Sequence, residues 1–137
     1  MREKRERLFW NRLRSHFSTK VFARRVENGV SPGDPDVFLM KRSKVIWIEL
    51  KYSRTPVRIT SKLPECSVKI EQVNWHLEYA SKGGTSYVLI GTDELDYLIE
   101  GKLVECINDA SLEEIANMAV LSAKSIGSKL EEFLWAR

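Results

Sequence analysis

Apolar side chains first recur every three or four positions along this chain and then every second position. That change of period marks a helix giving way to strands. Phe9, Leu13 and Phe17 lie four apart with Trp10 beside them, which predicts a helix over residues 3–17. Glu6 sits just N-terminal to that stripe, on or near the same face. Residues 19–26 read as a strand with Phe22 and Val26 on one face, and Asn28-Gly29 and Ser31-Pro32-Gly33-Asp34-Pro35 mark a turn and a loop. Val37–Met40 is a short β-prone run, and Lys41–Lys44 is a polar turn. Val45-Ile46-Trp47-Ile48-Glu49-Leu50-Lys51 carries the strongest strand signal, β-branched and aromatic and apolar on both faces at its start. The two runs are close enough to pair as a hairpin.

Residues 53–66 hold Pro56 and Pro64 and read as irregular. Ser67 is a candidate cap for a helix over 68–81, with Ile70, Val73, Leu77 and Ala80 as its apolar stripe and Lys82-Gly83-Gly84 as its stop. Ser86–Ile90 is a second buried-type strand. Beyond it the pattern predicts a short helix or strand near 94–99, a strand at 103–107, and helices near 111–119 and 121–135. There is no internal repeat. The order of elements implies an α/β class, a mixed sheet flanked by helices. The 137 residues suit one domain, with a helical extension from about residue 94 to the end.

Composition narrows the partners. No apolar run approaches the roughly 18–20 residues that span a bilayer. Met1–Arg7 is charged with no apolar segment behind it, so no secretory signal is expected and the cytoplasm is the expected compartment, the host's if the source is viral. Cys66 and Cys106 lack metal-site spacing and read as two free thiols, and His16 and His76 are too few for a zinc site. Net charge is only +3, but residues 1–25 carry nine basic side chains (Arg2, Lys4, Arg5, Arg7, Arg12, Arg14, Lys20, Arg24, Arg25) against Glu3 and Glu6. Such an end suits a phosphate-facing surface or, equally, a solvated helix face.

A strand places residues i and i+2 on one face, so Glu49 and Lys51 point together while Ile46, Ile48 and Leu50 point the other way. A strand this apolar belongs inside a sheet, which disfavours reading Glu49 and Lys51 as a surface ion pair. Pairing it with the preceding run brings Asp36 close to Glu49. Two convergent carboxylates suit a hard divalent cation such as Mg2+, which takes oxygen ligands and keeps several waters. A lysine beside them can orient an attacking hydroxide and offset charge on a phosphate.

Pro35-Asp36, twelve residues, then Glu49-Leu50-Lys51 resembles the PD-(D/E)XK nuclease signature. Gly33-Asp34-Pro35-Asp36-Val37, Trp47–Lys51, Gln72-Val73-Asn74-Trp75, Gly83-Gly84 and Tyr87–Ile90 together resemble its VRR-NUC branch, the virus-type replication-repair nucleases related to Holliday junction resolvases. The likeness covers residues 29–91. It implies a restriction-endonuclease-like fold, with Asp36, Glu49 and the Leu50 carbonyl as metal ligands and Lys51 as the catalytic lysine. Gln72 would sit at the site edge, and Glu6 would be a further ligand, with Glu3 competing for that place. Mg2+ is the implied cofactor, with Mn2+ able to substitute.

The expected activity is therefore a metal-dependent DNA endonuclease acting on branched, flapped or Holliday-junction DNA in replication, repair or recombination. Arg54, Arg58 and Lys62, just after the Glu49 strand, are candidate phosphate contacts, and Trp75 and Tyr79 are read as packing residues before base-stacking ones. His76 is read as a surface residue. A homodimer would suit junction cleavage, and Leu121, Ile126, Leu130, Phe133, Leu134 and Trp135 serve either a dimer surface or the monomer core. The rival reading is a nuclease-fold module that binds nucleic acid or protein without cutting. RNA as the substrate stays open.

Overall fold

The computed structural model describes residues 2–26 and 33–136; the turn expected at Asn28-Gly29 and the Ser31-Pro32 part of the loop lie outside the described residues. Helix α1 (Arg2–Arg14) stops before Phe17 because the chain tightens. His16 N–H bonds Leu13 O and Phe17 N–H bonds Arg14 O, three-residue steps that close the last turn. Strand β1 (Phe22–Arg25) follows. Strands β2 (Val37–Lys41) and β3 (Lys44–Tyr52) form the expected hairpin across Arg42 and Ser43, whose φ angles of 52° and 68° give the left-handed two-residue turn that suits strand twist.

Helix α2 (Ile70–Ser81) carries the chain over to β4 (Ser86–Gly91), which lies parallel to β3. Strand β5 (Asp96–Glu100) and a short β6 (Leu121–Ala123) complete a six-stranded mixed sheet in the order β1-β2-β3-β4-β5-β6, antiparallel everywhere else. Helices α3 (Leu112–Met118) and α4 (Gly127–Leu134) finish the described chain.

The alternation of β3 divides the interior in two. Ile46, Ile48 and Leu50 join Leu39, Leu89 and Leu98 under α1 and α4, with Phe9, Leu13, Ile126 and Leu130. On the other face Val88, Ile90 and Ile99 pack with Val73, Val104 and Ile115 from α2, a 3₁₀ segment and α3.

The last third departs from expectation. The strand predicted at 103–107 is that 3₁₀ segment, Gly101–Cys106. The helix predicted over 121–135 is split: Leu121–Ala123 is extended and pairs with β5, and only Gly127 onward is helical. Residues 94–137 therefore supply two strands of the sheet as well as helices. Ile126, Leu130, Leu134 and Trp135 are buried in the monomer core, so they are spent there and do not form an open dimer surface. Among the described residues no helix is long and apolar enough to cross a membrane.

Candidate active site

The sheet opens where β2 ends. Pairing of β2 with β3 runs from Lys41↔Lys44 to Val37↔Ile48, so Glu49, Leu50 and Lys51 extend past their partner on that side. Asp36, one residue before β2, fills the gap: its Oδ2 accepts the Leu50 N–H at 2.9 Å. A residue's N–H and C=O point to the same side of a strand, so the Leu50 carbonyl faces this opening too. The incoming loop is pressed onto α2. Gly33 has φ 94°, and a Cβ there would strike the Glu71 carbonyl oxygen.

Glu49 and Lys51 project from the same face of β3, 1% and 6% exposed. Gln72 on α2 ties them together. Its Nε2 donates to Glu49 Oε2 at 2.8 Å, and its Oε1 accepts from Lys51 Nζ at 3.1 Å. Lys51 Nζ itself stands 4.0 Å from Glu49 Oε2. Glu49 Oε1 is buried, and apart from the Asp36 carboxyl no group of the protein bonds it. Burial, then the Asp36 charge and a hydrogen bond with Asp36, push the Glu49 carboxyl up from 4.5 to about 10; Lys51 pulls weakly the other way and Glu6 adds to the rise. Two acids this close in a dry site cannot both carry charge without a cation between them.

That is the test for a metal, and the residues fit. An orphaned carboxylate oxygen, a second carboxylate on it and an open main-chain carbonyl make an oxygen-only donor set, the kind a hard cation takes with water completing its shell. Among the described residues no group of three or more His, Cys, Asp or Glu side chains is placed to hold a metal.

Three expectations about α2 are corrected. Its first N–H groups are not capped by Ser67, which is exposed; Lys69 N–H goes to Gln72 Oε1 at 2.9 Å. Ile70 is 65% exposed and is not part of the inward stripe, which runs through Val73 and His76 with Leu77 against the same core. His76 is therefore fully buried and not a surface residue. Its Nδ1 lies 2.7 Å from Ser86 Oγ, and burial, helped by the Lys51 charge, lowers its pKa from 6.5 to about 4. Gly101 leaves room for this pair, since a Cβ there would meet Ser86 Oγ.

The outlying candidates scatter. Glu6 is half-buried and close enough for its charge to act on Glu49, whereas the Glu3 side chain lies outside the described residues. Arg54 bonds Glu65 through both its backbone N–H and its side chain, and Arg5 bonds the same carboxylate at 2.9 Å. Glu65 thus organises the loop after β3, a role no periodicity announces. Arg58 is exposed. Lys62 is drawn away to the start of α3, pairing with Ser111 along the backbone and lying 3.6 Å from Asp109. Trp75 stacks on Tyr79 with centroids 4.7 Å apart and meets Trp47 edge-on at 5.8 Å, a packing arrangement. Cys66 and Cys106 form no disulfide.

No protein-family model matches the chain, and no curated protein does. Among solved structures it is similar to Hjc, a Holliday junction resolvase from Archaeoglobus fulgidus, with 18% identity, a TM-score of 0.50, and coverage of 82% of this chain and 95% of that one. At that identity the likeness concerns the fold, an α/β mixed sheet flanked by helices.

Proposed function

We propose that this chain is a metal-dependent DNA endonuclease that hydrolyses phosphodiester bonds at branched, flapped or four-way DNA. The observation that carries the reading is the buried Glu49, its Oε1 left with only the Asp36 carboxyl beside it, linked through Gln72 to Lys51. A site that holds two acids together in the dry end of a strand is costly for the fold and is explained by a cation that both need. The name of the solved resolvase supports four-way DNA as the first substrate to try.

Asp36, Glu49 and the Leu50 carbonyl would hold Mg2+ or Mn2+, with Glu6 as a further, outer ligand. A divalent cation bound there supplies an activated water and neutralises charge on the phosphoryl oxygens. The chain's own residues do the rest. The Leu50 N–H fixes the Asp36 carboxylate in place. Lys51 offers a positive charge to the phosphate as negative charge develops on it. Gln72 holds the Lys51 ammonium by its carbonyl and Glu49 by its amide, so the ammonium is aimed before substrate arrives. Arg54 and Arg58, in the loop that follows β3, would contact phosphates flanking the cut, whereas Lys62 lies too close to α3 to join them.

Labelled linear, nicked, flap and four-way DNA, each with and without Mg2+ or Mn2+, test this. Cleavage is expected only with metal, and on branched DNA before linear duplex. Asp36→Ala and Lys51→Ala should each lose at least about 100-fold in rate, the scale of removing one charge-stabilising group, while binding in EDTA persists. Binding without cutting under every metal condition would leave a non-catalytic module instead.

A further inference from the structure

Helix α1 carries arginines on both of its flanks, and the two flanks are in different states. Arg5, Leu8 and Arg12 follow one helical row, and Arg7, Asn11 and Arg14 follow another. On the first flank Arg5 is held by Glu65 at 2.9 Å and Arg12 lies over the Phe9 ring at 5.5 Å. On the second, Arg7 and Arg14 are exposed and share with Arg25 of β1 a cleft of about 430 Å³ that Trp10, Asn11 and Ala23 also line. Among the described residues none of the Arg7, Arg14 and Arg25 guanidinium groups has a carboxylate within ion-pair distance. Three like charges around one cleft repel each other, and an anionic ligand removes that penalty.

The cleft leads to the acids. Val26 N–H, one residue beyond Arg25, bonds the Asp36 carbonyl at 2.6 Å, and Glu6, one residue before Arg7, acts on Glu49. Arg7 and Arg14 are seven residues apart, about 10 Å along a helix axis. That equals the rise of roughly three base pairs along a duplex axis, at about 3.4 Å each. A single small anion would fill one end of such a cleft only.

We infer that the α1–β1 cleft grips the sugar-phosphate backbone of a duplex DNA arm, Arg7, Arg14 and Arg25 each contacting phosphates, and so delivers the strand to the Asp36–Glu49 site. Arg24 alternates to the other face of β1, its guanidinium held 4.1 Å over the Phe22 ring, and is left out of the grip. This rests on the nuclease reading, and its test is kept separate from cutting.

Binding of fluorescent linear duplex DNA is measured in EDTA from about 50 to 200 mM salt, and wild-type cleavage of four-way DNA is measured in parallel with Mn2+. For Arg7→Gln/Arg14→Gln/Arg25→Gln the slope of log affinity against log salt should flatten by about 2.7, three contacts at about 0.9 each. Affinity at the lower salt should fall at least ten-fold. Arg7→Gln/Arg14→Gln, confined to exposed helix positions, should flatten the slope by about 1.8 and covers the case in which Arg25→Gln impairs folding. Lys102→Gln/Lys124→Gln/Lys129→Gln removes as many exposed charges and should leave the slope as it was. Arginine variants with the wild-type slope, or controls that lose as much, overturn the inference even if cleavage is seen. If the arginine variants flatten the slope while the wild type never cuts, the cleft stands and the nuclease reading falls.

Discussion

Glu49 concentrates the physics of the site in one side chain. It is 1% exposed, its Oε2 accepts from Gln72, and its Oε1 is left with only the Asp36 carboxyl beside it. Its folded-state value, about 10, is above its ordinary 4.5, so it binds a proton more tightly folded than unfolded. The stability linked to it is full below about pH 4.5 and is lost as pH rises toward 10, with a slope that cannot exceed about 1.4 kcal/mol per pH unit for one proton. Melting curves of metal-free protein across this window should show that decline, and Glu49→Gln should remove it. A wild type as flat as Glu49→Gln would mean the carboxyl is already compensated by the protein. His76 has the opposite sign. Held neutral by burial, it adds stability above pH 6.5 that is lost as pH falls through about 4.

Among the elements, helix α2 does two jobs through Gln72. The one carbonyl oxygen caps the helix at Lys69 and holds Lys51. Gln72→Ala should therefore lower stability by about 1 kcal/mol, the usual worth of an N-cap, and slow cutting at unchanged DNA affinity; a change in affinity alone would place Gln72 at the substrate instead. The hairpin and the existence of the strand after α2 were legible because β-branched and aromatic runs, apolar on both faces, are bounded by polar or glycine turns; its parallel pairing with β3 was not read. The register that brings Asp36 opposite Glu49 follows from the two-residue turn. The end of the chain was not legible. Leu121-Ser122-Ala123 is too short to outweigh the four-residue spacing of Ile126, Leu130 and Leu134, and what makes it a strand is the open edge of β5, a tertiary fact. His76 was misread for a similar reason: its partner Ser86 and the gap left by Gly101 are distant in sequence.

Across the described residues the interior is built from both faces of the sheet, and α4 is part of it. Leu130, 1% exposed between α1 and the sheet, should cost about 2–5 kcal/mol as Leu130→Ala, seen as a fall in melting temperature without a change in oligomeric state. A mass change with little loss of stability would assign α4 to an interface. The fold thus places two acids and one lysine at a sheet end, and the nuclease reading depends on a cation joining those acids. Calorimetric titration of Mn2+ into metal-free protein near pH 8, repeated in buffers of different ionisation heat, measures this directly. The expected result is one bound ion per chain with close to one proton released, and neither in Glu49→Gln. No binding heat in the wild type, or the same heat and proton count in Glu49→Gln, would contradict it.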